Sequence, residues 1–115
     1  MDIKEILDNR IICTGLEVKD KKDALKKMSN MLKNAGYIAN LNSFLKGVYL
    51  RESQGCTGIG NYVANPHGKS MSVVKPGIAM AVLKNEIKWE TLDGNGVKVI
   101  FLFAVGEKIE DAQNH

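Results

Sequence analysis

Two long apolar runs constrain this chain more than any other feature. Ile78-Ala79-Met80-Ala81-Val82-Leu83 and Val97-Lys98-Val99-Ile100-Phe101-Leu102-Phe103-Ala104-Val105 place apolar residues on both alternating faces. A strand with one face in water alternates apolar and polar residues. Strands written this way must be covered on both sides, so helices are expected to pack on their sheet. Asp93-Gly94-Asn95-Gly96 between the runs reads as a turn, and Trp89 just before it as an aromatic packed at the sheet edge.

The cover is legible upstream. Asp20 reads as a helix N-cap, with Asp23 in a weak capping-box position. Ala24, Leu25, Met28, Met31, Leu32 and Ala35 follow at helical spacing, and Gly36 stands where a helix stops. Asn40 or Asn42 caps a second helix with the stripe Phe44, Leu45, Val48 and Tyr49, running into Arg51 and Glu52. Shorter elements are expected as a helical turn over residues 3–7 and a strand over 10–18 interrupted by Gly15. Extended pieces are expected over 59–64 and 71–74. The tail from Gly106 is polar, with Ile109, Ala112 and Asn114 hinting at a helix not carried through.

The chain has 115 residues, the size of one domain, and is 44% hydrophobic and 25% charged, as ordinary soluble domains are. A net charge of +3 without a dense Lys/Arg run argues against nucleic acid as a partner. The start, Met1-Asp2-Ile3-Lys4-Glu5, is charged and no long apolar run follows it. Neither a signal peptide nor direct membrane insertion is expected, and the cytoplasm is the expected location. Cys13 and Cys56 lack metal-ligand spacing and are expected to stay reduced. Lys22, Lys26 and Lys33 read as the solvated face of the first helix.

One stretch carries chemistry. Arg51-Glu52-Ser53-Gln54-Gly55-Cys56-Thr57-Gly58-Ile59-Gly60-Asn61-Tyr62-Val63-Ala64-Asn65-Pro66-His67-Gly68 holds four glycines, a proline and a histidine. Proline stiffens the backbone before His67 and pushes Asn65 toward an extended conformation, while Gly68 leaves the other side uncrowded. Arg51, Thr57 and Asn61 are side chains able to donate to an anion. On the residues alone, two readings stand: a phosphate-handling site, or a Gly-rich surface loop with an incidental histidine. There is no Gly-x-x-x-x-Gly-Lys-Ser/Thr loop for a nucleotide, and two histidines without a carboxylate cluster make a poor metal site. No metal and no cofactor are expected.

The ordered block Arg51-Glu52, Thr57-Gly58-Ile59-Gly60-Asn61 and Ala64-Asn65-Pro66-His67-Gly68 resembles the active-site block of the IIA domain of the bacterial sugar phosphotransferase system. The match is to the fructose/mannitol type, which includes a nitrogen-regulatory branch, and it extends over nearly the whole chain. The resemblance implies a mixed β-sheet with helices on both faces, an α/β (α+β) fold. It implies a phosphocarrier in which His67 accepts a phosphoryl group from phospho-HPr and passes it to a cysteine of a IIB domain during sugar uptake. By the same likeness Arg51 binds the phosphoryl oxygens, and Thr57, Asn61 and Gly68 order the loop or bind the phosphate. His115 falls at the position of a second active-site histidine. A regulatory protein that binds partners according to histidine phosphorylation, or a degenerate domain that transfers nothing, are the alternatives.

Three departures accompany the resemblance. Asn65 stands where an apolar residue is common, and Cys56 where a serine is frequent. The family's domain also continues with helices past the position of His115, so the last helices are expected to be missing here. With Val97, Val99, Phe101, Phe103 and Val105 on one face of the second run and Ile100, Leu102 and Ala104 on the other, a two-fold dimer is the expected way to cover the sheet.

Overall fold

The computed structural model describes residues 8–107. The helical turn expected over residues 3–7, the tail pattern and His115 lie outside them. A short 3-10 turn, Asn9–Ile11, leads into strand β1, Ile12–Leu16. Helices α1, Lys21–Asn34, and α2, Leu41–Ser53, follow. The sheet is completed by β2, Gly58–Gly60; β3, Val63–Ala64; β4, His67–Ser70; β5, Gly77–Ile87; and β6, Val97–Gly106. Gly15, at φ +72°, shifts the register within β1 instead of ending it.

The helix ends follow from their caps. The Asp20 carboxylate accepts from the Asp23 N–H at 2.8 Å, and Asp23 itself accepts from the Lys19 N–H at 2.9 Å. Two of the unpaired donors near the helix start are thereby satisfied. Gly36 at φ +84° ends α1, with the Tyr37 N–H donating back to the Leu32 carbonyl at 2.9 Å. Asn40, of the two candidates, caps α2 by accepting from the Ser43 N–H at 2.9 Å.

The sheet order is β1-β5-β6-β3-β2, with β4 also paired to β6. β5 and β6 run antiparallel, while β1 on β5 and both β3 and β4 on β6 run parallel. The mixed sheet with helices is as expected; among the described residues both helices pack on one face of it. Ala79, Ala81 and Leu83 of β5 and Ile100, Leu102 and Ala104 of β6 share one core with Ala24, Leu25, Met28 and Leu32 of α1 and Phe44 and Val48 of α2. On the opposite face Ile78, Met80, Val82, Val99, Phe101 and Phe103 are half-buried.

Four expectations are corrected. Residues 59–64 form a hairpin, not one strand, because Asn61 at φ 56° and Tyr62 at φ 65° both turn left-handed between β2 and β3. Residues 71–74 form a turn with a single bridge from Val73 to Ile38. Tyr49 is 39% exposed, so the buried stripe of α2 narrows to Phe44 and Val48. Trp89 is buried in the core, not at an edge, because its indole N–H finds an internal acceptor in Thr57 Oγ1 at 3.2 Å.

Candidate functional site

β3 and β4 lie end to end along the same edge of β6. Val63 and Ala64 pair with Val99 and Ile100; His67 to Ser70 pair with Phe103 to Gly106. Asn65 and Pro66 interrupt what would otherwise be one strand. In that gap the Asn65 N–H donates to the Thr57 carbonyl at 2.9 Å, and the Pro66 carbonyl accepts from the Phe103 N–H at 2.9 Å. The Asn65 carbonyl turns to the imidazole: His67 Nδ1 lies 2.7 Å from it. A carbonyl oxygen can only accept, so Nδ1 carries the proton and Nε2 holds the free lone pair of the neutral ring.

The His67 ring stacks on Phe103, ring centroids 4.5 Å apart at 14°. Gly68 faces the helices. A Cβ there would run into the Phe44 ring and Val48, and a Cβ at Gly47 of α2 would run into the Lys69 carbonyl. These two glycines let α2 lie directly against β4. That approach brings the last turn of α2 beside His67 and forms an open groove of ≈ 440 Å³. Arg51 and Gln54 of α2 and His67 and Lys69 of β4 line it, with Leu50, Val105 and Glu107 at its sides. The Arg51 guanidinium donates to the Gly55 carbonyl at 3.2 Å, and no carboxylate pairs with it among the described residues.

The sequence-derived residues therefore separate. His67 and Arg51 share one groove. Thr57 does not reach it: its side chain is 1% exposed, and its hydroxyl donates to Glu52 Oε1 at 2.9 Å while accepting from Trp89. Asn61 sits at the hairpin tip, where its N–H donates to Asp93 at 3.0 Å. Val63 is in register with Val99 and His67 with Phe103. Four residues along β6 put the hairpin roughly 13 Å from His67. Gly68 serves close packing, and His115 lies outside the described residues. Lys69 was missed by sequence reasoning. Its signal is the alternation from His67, which becomes readable only once residues 67–70 are known to be a strand.

Behind the loop, Lys21 Nζ bridges Glu52 at 2.7 Å and Glu90 at 2.6 Å and sits 4.9 Å over the Trp89 ring. Desolvation pushes the Lys21 pKa down, but its hydrogen bonds to Glu52 and Glu90 outweigh that and hold it above the ordinary value. No helix among the described residues is long and apolar enough to cross a membrane.

The arrangement presents an imidazole of fixed tautomer beside a guanidinium in a water-open groove, a combination suited to receiving a phosphoryl group. The chain matches the family model described as "Phosphoenolpyruvate-dependent sugar phosphotransferase system, EIIA 2" over residues 5–115. It is similar to the PTS system fructose-specific EIIABC component of Bacillus subtilis (strain 168), 35% identical over 107 residues, 93% of this chain but 17% of that protein. Its fold is similar to the crystal structure of nitrogen regulatory protein IIA-Ntr from Neisseria meningitidis, with a TM-score of 0.82 at 26% identity over 97% of this chain and 76% of that one. It is also similar in fold to the Escherichia coli complex of enzyme IIAMTL and phosphorylated enzyme IIBMTL, with a TM-score of 0.76 at 17% identity over 94% of this chain and 76% of that one.

Proposed function

The chain belongs to the EIIA 2 family of the phosphoenolpyruvate-dependent sugar phosphotransferase system, and from that membership we propose that it is a phosphocarrier whose acceptor is His67. The observation that carries the reading is the 2.7 Å bond from His67 Nδ1 to the Asn65 carbonyl, which leaves Nε2 as the nucleophile. The donor is a phosphohistidine whose ring carries a proton on its other nitrogen, as in phospho-HPr. His67 Nε2 attacks phosphorus and a new N–P bond forms. The donor's N–P bond breaks, and its electron pair returns to the donor ring, which leaves as neutral imidazole. The positive charge passes to the His67 ring, where Nδ1–H stays bonded to the carbonyl. No net proton moves. Arg51 neutralises the phosphoryl oxygens in flight, each charge-assisted bond being roughly twice as strong as a neutral one.

The acceptor from His67 is a cysteine thiolate of a IIB domain, and the pathway is sugar uptake of the fructose/mannitol class, in the cytoplasm. The fructose-specific relative supports the sugar class, and the complex of a related fold with phosphorylated IIB supports the partner. A two-fold dimer, supported by the half-buried outer face of β5 and β6, belongs to the same proposal and is tested by sedimentation. Incubation with phosphoenolpyruvate, the general first enzyme and HPr tests the acceptor. Intact mass should rise by one phosphate, labile in acid and stable in base. Normal uptake by His67→Ala would sink the assignment.

The fold match to a nitrogen regulatory protein supports a second reading. There the same histidine is phosphorylated, but its state selects binding partners. Transfer onward to a IIB cysteine separates the two: a regulator keeps its phosphate when IIB is added.

A further inference from the structure

A buried polar network behind the Gly-rich loop takes no part in the chemistry just described. The Glu52 side chain is 8% exposed. Its Oε1 accepts from Lys21 Nζ at 2.7 Å and from the Thr57 hydroxyl at 2.9 Å, while Oε2 is buried without a partner among the described residues. The Thr57 hydroxyl is held from two sides: its one proton goes to Glu52 and its oxygen accepts from the Trp89 indole. A buried carboxylate left half-satisfied opposes folding, and apolar residues of the same volume would hold the loop at less cost. Holding a loop in place does not by itself require this arrangement.

What the network holds is a backbone path to the imidazole. The Thr57 carbonyl accepts from the Asn65 N–H at 2.9 Å, and the carbonyl of the same Asn65 accepts from His67 Nδ1 at 2.7 Å. Two hydrogen bonds thus separate Thr57 from the histidine ring. We propose that Thr57, clamped between Glu52 and Trp89, is a positioning residue that sets the tautomer of His67. It holds the Asn65 N–H, and through that residue steers the backbone whose following carbonyl is presented to Nδ1. This inference rests on His67 being the phosphoryl acceptor only for its consequence in transfer; the tautomer itself is a property of the unmodified protein. Because Glu52 follows Arg51 in the last turn of α2, the same clamp fixes the helix end that carries the guanidinium.

The test is ring ¹⁵N NMR of the unphosphorylated protein, at a pH where the imidazole is neutral, with the His67 signals assigned by their loss in His67→Gln. Wild type should show a protonated Nδ1 and an unprotonated Nε2. Thr57→Val removes the hydroxyl but keeps the shape, and should move both signals toward a mixture of tautomers. Phosphoryl uptake should slow by about tenfold in that variant, as small misplacements of reacting groups do. Thr57→Ser should restore both readouts. Should Thr57→Val fail to fold, Trp89→Phe, which removes the indole donor but keeps a ring, is read the same way. A variant that loses stability yet keeps the wild-type ring signals would overturn the proposal and leave Thr57 a purely structural residue. Uptake of label by His67→Ala would instead strike the acceptor assignment and leave the tautomer result standing.

Discussion

Phe103 lies flat beneath His67, its register partner in a parallel strand pair, with ring centroids 4.5 Å apart and planes 14° from parallel. The stack restrains the imidazole in the dimension that the Asn65 hydrogen bond does not. In the proposed role, accepting a phosphoryl group would make the ring cationic, and an aromatic face attracts a cation. Phe103→Leu keeps apolar volume and loses that face. Stability should fall by about 1 kcal/mol, the worth of an aromatic pair beyond its area, and uptake should slow several-fold. Urea denaturation and a mass time course measure the two; an unchanged time course would show that the stack only packs.

Arg51 meets no carboxylate among the described residues, and it lines the same groove as His67. Arg51→Lys keeps the charge and loses the planar fork. Transfer should slow by roughly one to two orders of magnitude, about 1.4–2.8 kcal/mol in the barrier, with the fold intact. Single-turnover transfer from phospho-HPr measures this, and a wild-type rate would leave Arg51 merely a cation at a helix end.

Gly68 has no room for a side chain: a Cβ would meet Phe44 and Val48. Gly68→Ala should destabilise the domain by about 1–3 kcal/mol through overpacking. It should also push α2 off β4 and widen the distance from Arg51 to His67. Chemical denaturation with parallel transfer assays should show both losses together. If transfer survives at full rate, the spacing of α2 and β4 does not matter to the chemistry.

Asp8 accepts from the Arg10 guanidinium at 2.7 Å and from the Tyr37 hydroxyl at 2.7 Å. These bonds, Arg10's first, hold its carboxyl well below the usual value of 3.8. A depressed folded-state pKa means the unfolded chain binds more protons in the acid range. The contribution is therefore complete above the unfolded value and is lost as pH falls below it. Asp8→Asn should lower the melting temperature at neutral pH and flatten its fall between about pH 4 and pH 2. Parallel slopes for wild type and variant would show that the bonds contribute nothing to folding.

Much of this architecture was written in single segments. The apolar runs at 78–83 and 97–105 became the two central strands, and Asp20, Gly36 and Asn40 bounded the helices where their side chains or φ values required. His67 and Arg51 stood out because their neighbours are unusual. What stayed hidden depended on distant partners. β4 reads His-Gly-Lys-Ser, with no apolar alternation, and is a strand only because β6 offers it a ladder. Trp89 looked like an edge residue until its acceptor proved to be Thr57, 32 residues earlier. Thr57 and Asn61, neighbours in one motif, parted because a hairpin carries one outward while the other is drawn into the core. A motif records which residues are needed; it does not record which of them face the same space.

The break between β3 and β4 has a consequence for what this site can tolerate. The group that assigns the proton on His67 belongs to the main chain at position 65, not to a side chain. Every amino acid there brings the same carbonyl. The side chain at position 65 can therefore change without altering which ring nitrogen of His67 carries the proton. Pro66 cannot change so freely, because it has no N–H with which to extend pairing through the gap. The tautomer of the ring is thus set by the course of the backbone, and it depends on the residue that interrupts the strand.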